Sequence, residues 1–130
     1  MVRELDEEDR LLRLPSVDAQ LAAWVVAVDR DLARRNLWLS WNGFKVYVRR
    51  SHRILGQESL ITLDIASVTV PERLRQRGWF KQFRRLAEAL NPWDATFYEA
   101  VMHPDLEEYF RQANVTPYGA DSFYVRTARR

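Results

Sequence analysis

The sequence predicts an α+β domain, a sheet flanked by helices, and three observations carry that prediction. Asn42-Gly43 separates two extended apolar runs, Leu37–Trp41 and Phe44–Arg49. This is a strong hairpin signal, because a type I′ turn needs two residues at positive φ. Ile61–Val70 (ITLDIASVTV) is rich in β-branched residues and holds no turn former, so it reads as a buried strand. After it, Phe80, Phe83, Leu86, Ala87 and Leu90 recur at spacings of three and four, one apolar stripe along a helix.

The remaining elements follow in order. Glu4–Leu14 is an expected helix, with Leu5, Leu11, Leu12 and Leu14 apolar. Pro15-Ser16 punctuates it, and Ser16 is a suitable N-cap for a second helix running to about Arg35. That helix carries Val17, Leu21, Trp24, Val25, Val28 and Leu32 on one face. The Asn-Gly hairpin comes next, and Ser51–Ser59 reads as a polar loop around Gly56. Asn91-Pro92 stops the helix that follows the central strand. Ala95–Val101 is another strand. Pro104 opens a helix with Asp105, Glu107 and Glu108 in its first turn, where the dipole favours acids. Its stripe is Leu106, Tyr109, Phe110 and Ala113. Val115–Tyr118 and Phe123–Thr127 form a last strand pair around Gly119-Ala120-Asp121-Ser122. With no repeat and no linker, residues 1–130 read as one domain. It has a helical part over 1–35 and a sheet over 36–130. Trp24, Val28, Phe83, Leu86 and Leu90 are its expected core.

Composition narrows the function. Apolar residues at 47% and aromatics at 12% argue against disorder. The absence of cysteine excludes disulfides and thiolate metal sites. The two histidines, His52 and His103, make a metal site an unpromising reading. No apolar run approaches the ~18 residues of a membrane span. The acidic N-terminus has the wrong sign for a secretory signal, so a cytoplasmic protein is expected. There is no Walker loop, no Rossmann glycine triplet and no nucleophile elbow.

Two features carry chemistry. From Glu72 to Arg85 six basic residues face one acid, a net +5 in a chain of net +2. Gly78 lies among them, just before the helix. Backbone N–H groups at a helix start lack intrahelical partners and attract anions, so a phosphate or pyrophosphate ligand is inferred. The other feature is Asp64, the only acid in an apolar ten-residue strand. Unpartnered burial of such a group costs several kcal/mol, on the order of 2–7 even for an uncharged polar group. Asp64 is therefore either a proton-abstracting base or a structural carboxylate that caps a loop or pairs an arginine.

This stretch resembles the acyl-CoA-binding core of the GCN5-related N-acetyltransferases. In that family a strand ends in valine, a short turn follows, and Arg/Gln-x-x-Gly-x-Gly/Ala opens a helix. Here Val70 ends the strand and Arg75-Gln76-Arg77-Gly78-Trp79-Phe80 follows, with Phe80 in place of the usual small residue. Phe97–Val115 is similar to the family's fifth strand and following helix. The resemblance spans about residues 44–127, and the first 35 residues lack the family's usual first strand. Similar short forms occur among bacteriophage and bacterial acetyltransferase-like proteins.

The resemblance implies a mixed, mostly antiparallel twisted sheet, acetyl-CoA as cofactor, and direct acetyl transfer to an amine. It implies that backbone groups of Val68 and Val70 hold the pantetheine arm. Arg75, Gln76 and Arg77, with the N–H groups of Gly78, Trp79 and Phe80, would hold the pyrophosphate. His103 stands where the family often has an asparagine that contacts the cofactor. Asp64 falls where one branch keeps a general-base glutamate, and Glu99 is a second carboxylate near the expected cleft. Phe110 occupies the place of the tyrosine that protonates the leaving thiolate. Tyr109, Tyr118 and Tyr124 are the hydroxyls nearby in sequence. The acceptor, small molecule or protein, is not specified. The alternative is a catalytically lapsed protein of this fold that acts on a host protein or a nucleic acid. Dispersed acids and the modest net charge argue against a general nucleic-acid binder.

Overall fold

A computed structural model of the chain describes residues 5–74, 78–99, 110, 115–119 and 121–128. Helices α1 (Leu5–Leu11) and α2 (Val17–Asp29) precede strands β1 (Asn36–Trp41), β2 (Phe44–Leu55) and β3 (Glu58–Thr69). A short 3-10 turn, Glu72–Leu74, leads toward α3 (Trp79–Leu90). Strands β4 (Ala95–Tyr98), β5 (Thr116–Tyr118) and β6 (Ser122–Arg126) follow, and Phe110 between them is helical. The sheet order is β1-β2-β3-β4-β6-β5. Every described pairing is antiparallel except β3 with β4, which α3 connects as a crossover. The expected α+β class with a mixed, mostly antiparallel sheet is the one observed.

The sheet packs its main core on one face. Leu39, Val46, Val48 and Leu63 point to that face and are fully buried beneath Leu21 and Trp24 of α2 and Ala87 of α3. Trp93 meets Trp24 edge-on at 5.9 Å and donates from its indole N–H to Asp29 at 2.9 Å. A β-bulge between β2 and β3 pairs Tyr47 with Ser67 but Val48 with Ile65. The extra residue, Ala66, lets both Ile65 and Val68 face the core although their spacing is odd. The opposite face carries a smaller buried cluster of Leu55, Leu60, Ala95 and Phe97.

Three sequence expectations need correction. The second helix ends at Asp29, not near Arg35. Asp31 takes a left-handed φ of 56°, Leu32 N–H bonds to Ala27 O at 2.9 Å, and Asp31 N–H bonds to Val28 O at 3.2 Å. That is a Schellman stop built on aspartate instead of the usual glycine. Ser51–Ser59 is not a loop: β2 runs to Leu55, β3 starts at Glu58, and only Gly56-Gln57 turns. Its polar sequence misled because Ser51 and Arg53 face a charge cluster instead of oil. Finally, Leu86 and Leu90 are half-buried, whereas the buried line of α3 passes through Phe83 and Ala87.

Gln20 ties the N-terminal helices to the sheet. It is fully buried on α2. Its amide NH2 donates to the carbonyls of Leu12, Leu14 and Ser40, and its oxygen accepts from Ser40 N–H at 3.0 Å. Glu8 of α1 does a similar task, accepting from Arg34 N–H at 3.1 Å while pairing with the Arg34 guanidinium at 3.3 Å.

Candidate active site

The parallel pairing of β3 with β4 is short. It runs from Thr62 opposite Ala95 to Ile65 opposite Tyr98, with Glu99 N–H bonded to Ile65 O at 3.1 Å. From Ser67 to Thr69, β3 pairs with β2, and no described residue of β4 lies opposite. Val68 leans on the core, and Val70 follows the end of the strand.

Past the 3-10 turn, Gly78 caps α3 in the left-handed conformation, with φ 78° and ψ 9°. No side chain caps the helix start, and its first turn holds no acid. Among the described residues a Cβ on Gly78 would meet no atom within 4 Å, so the demand for glycine comes from φ. Trp79 lies 4.8 Å from the Phe44 ring and stacks on Phe83 at 4.9 Å, which fixes the helix start against the β1–β2 hairpin. Phe80 turns inward, edge-on to Tyr98 at 6.2 Å and to Phe110 at 5.7 Å. That inward packing accounts for its size. Arg75, Gln76, Arg77, His103 and Tyr109 lie outside the described residues.

Asp64 sits on the sheet face opposite α3 and is wholly buried. Oδ1 accepts from the Thr62 hydroxyl at 2.6 Å and from Arg53 Nε at 3.3 Å. Oδ2 accepts from the Ser51 hydroxyl at 2.7 Å and from Arg53 Nη2 at 2.8 Å. Arg49 Nε stands 3.4 Å from Oδ2. Each oxygen therefore carries two hydrogen bonds, its full lone-pair complement. The same two arginines reach Glu99: Arg53 Nη2 at 3.1 Å, and Arg49 Nη2 in a close pair. Arg53 also lies over the Phe97 ring, 3.9 Å from its centroid. Burial acts to lower the Arg53 pKa, but the hydrogen bonds and charges of Asp64 and then Glu99 outweigh it and raise it.

The cluster is thus two guanidiniums shared between a buried carboxylate and a more exposed one. Glu99, with 35% side-chain exposure, follows the last paired residue of β4; Asp64 is the buried anchor of the cluster. The sequence pointed to Asp64 and Glu99 but missed Arg49, Ser51, Arg53 and Thr62. Arg49, Ser51 and Arg53 alternate along β2 on one face, a period-2 signal hidden by reading part of the segment as a loop.

The hydroxyl candidates divide between the two faces. Tyr118 is exposed and edge-on to Phe97 at 5.3 Å, and Tyr124 packs beside the same small cluster. Phe110 is buried in the main core, stacked on Phe123 at 5.1 Å and 4.9 Å from Tyr98. Tyr98 is itself buried, and its hydroxyl donates to Glu88. Burial, then the Glu88 charge, lifts its pKa well above the ordinary 10.0.

No family model matches the chain, and no curated protein matches it. Solved structures do match. A point mutant of the toxin AtaT, bound to the C-terminus of the antitoxin AtaR, aligns with a TM-score of 0.55 and 12% identity. The alignment covers 65% of this chain and 59% of the toxin chain. The same mutant toxin bound to the AtaR C-terminus and acetyl-CoA gives a TM-score of 0.54, at 12% identity over 65% and 59% of the two chains. The fold is that of the GCN5-related N-acetyltransferases. The chain spans less than two thirds of the toxin chain it matches. Among the described residues no cluster of three acids or histidines could hold a metal, and no helix is long and apolar enough to cross a membrane.

Proposed function

We propose that this chain binds acetyl-CoA at the start of α3 and transfers its acetyl group to an amine, acting in the cytoplasm. The observation that carries the reading is the parallel pairing of β3 with β4 across the α3 crossover, with the glycine-opened, acid-free start of α3 after β3. The basic segment and the first amides of α3 suit a pyrophosphate. Arg75, Gln76, Arg77 and the N–H groups of Gly78, Trp79 and Phe80 would hold it, with backbone groups of Val68 and Val70 along the pantetheine arm and His103 at its far side. When bound, acetyl-CoA supplies an activated acyl carbon. An amine nitrogen would bond to that carbon as the carbon–sulfur bond breaks, and the departing thiolate would take a proton from solvent. Glu99, the more exposed carboxylate, takes the proton from the amine. Asp64 orients Arg49 and Arg53, which in turn orient Glu99.

Calorimetry with acetyl-CoA on the wild type and on Gly78→Asp tests the cofactor site. Measurable binding is expected in the wild type. An affinity at least about tenfold lower is expected in the variant, where a like charge enters the cradle. A folded wild type that binds no acetyl-CoA removes the reading. Thiol release with a panel of amines and peptides then tests the transfer.

A second reading is a protein of this fold that binds a partner without catalysis. The saturation of Asp64 and the core placement of Phe110 favour it. The AtaT structures hold that toxin against an antitoxin segment, so a protein partner is the leading form of this reading, ahead of a nucleic acid. Acetyl-CoA binding with no thiol release to any acceptor would select it.

A further inference from the structure

We infer that the cavity between the start of α2, the tip of the β1–β2 hairpin and the first residue of α3 binds a small organic ammonium ion. The inference stands apart from the acyl-transfer reading and needs no acetyl-CoA.

The cavity measures about 250 Å³. Three of its walls are aromatic: Trp41, Phe44 and Trp79. The Phe44 and Trp79 rings meet at 4.8 Å, tilted by 35°. Aromatic faces carry negative quadrupole charge, and tryptophan attracts cations best. Asp18, in the first turn of α2, joins Pro15, Ser16, Val17 and Asn42 in the rest of the lining. Asp18 has no hydrogen-bond or ion-pair partner among the described residues, and burial alone acts on its carboxyl, raising its pKa. No side-chain cation stands beside this carboxylate among the described residues, and the aromatic walls suit one.

The charge argument also excludes the opposite ligand. A helix N-terminus on its own favours an anion. At α2, Ser16 already bonds to Ala19 N–H at 3.0 Å, and the Asp18 carboxylate repels any second anion. The walls are held in place. Asn42 and Gly43 both take positive φ at the hairpin tip, and a Cβ on Gly43 would come within 3.1 Å of Pro71 Cγ. Trp79 is held by its stack on Phe83. The volume suits a quaternary ammonium head or a short alkylamine and falls below the roughly 300–1,000 Å³ that drug-sized ligands occupy.

The test titrates the full-length protein with choline, with its neutral isostere 3,3-dimethylbutan-1-ol, and with inorganic phosphate, at constant ionic strength. The readout is the set of indole N–H signals in nitrogen-15 NMR spectra. Choline is expected to shift the Trp41 and Trp79 signals saturably while the Trp24 signal, deep in the core, stays put. The neutral alcohol should bind about tenfold more weakly, phosphate should leave both signals unchanged, and Asp18→Asn should weaken choline by about tenfold. Trp41→Leu provides a second variant that removes one aromatic wall and should weaken choline while leaving the Trp24 signal in place. The proposal is overturned if choline gives no saturable shift, if the alcohol matches choline, or if Asp18→Asn binds as the wild type does.

Discussion

Asp64→Asn preserves the shape of a side chain with no solvent exposure while deleting its charge. One of its two oxygens becomes an NH2 group, which cannot accept. Either Thr62 and Arg53 Nε or Ser51 and Arg53 Nη2 then face a donor where they had an acceptor. Removing one partner of a buried ion pair costs about 3–5 kcal/mol. The side chains of Arg53 and Arg49 remain 23% and 28% exposed and keep Glu99 as a partner, which softens the loss. A net cost of about 3 kcal/mol is expected, and for a domain of this size that lowers Tm by roughly 10 °C. Thermal and urea denaturation measure it, with Arg53→Met and the double variant completing a cycle. The coupling should be about 1–3 kcal/mol, because both residues belong to one network. Any acyl transfer should fall in step with the folded fraction and with the loosening of Glu99. A Tm within about 2 °C of wild type would refute the anchoring role. Loss of transfer at unchanged stability would instead return Asp64 to proton abstraction.

Three further outcomes are expected. The folded chain keeps a proton on Tyr98 that the unfolded chain loses, so this stabilisation is complete below about pH 10 and is lost as pH rises through the higher folded value. Tyr98→Phe should flatten the alkaline limb of the stability curve, and an ultraviolet titration in which Tyr98 ionises with the exposed tyrosines would contradict this. Leu63→Ala, at a fully buried β3 position, should cost about 2–5 kcal/mol, whereas Leu86→Ala at the rim of α3 should cost about 1 kcal/mol. Urea midpoints that reverse this order would show that the core is misplaced. Gln20→Leu strips partners from the carbonyls of Leu12 and Leu14 and should cost about 2–3 kcal/mol; a denaturation midpoint equal to wild type would remove Gln20 from the framework.

Much of the fold was legible because its signals are local. Asn42-Gly43, the β-branched run at Ile61 and the stripe of α3 each decide an element within ten residues. The Asp31 helix stop was not legible, since aspartate at a left-handed position is the exception. The extension of β2 through Arg53 was hidden because its second face is polar by design of the charge cluster, so alternation of apolar and polar residues vanished. At the site, Asp64 drew attention as an acid among apolar neighbours. Its partners lie 11 and 15 residues upstream on a paired strand, and only the β2–β3 register, Arg49 opposite Asp64, brings them together.

The Gln20 amide has a consequence for how copies of this chain meet. β1 is an edge strand, and edge strands invite pairing with a neighbouring molecule. Ser40 turns its N–H and C=O away from β2, and Gln20 occupies both. An incoming strand would find that rung of the ladder already taken, with Trp38 two residues away as the next outward-facing position. Gln20 therefore acts as a stopper on the open margin of the sheet. Its loss should appear in light scattering, as concentration-dependent assembly under conditions where the chain is still folded.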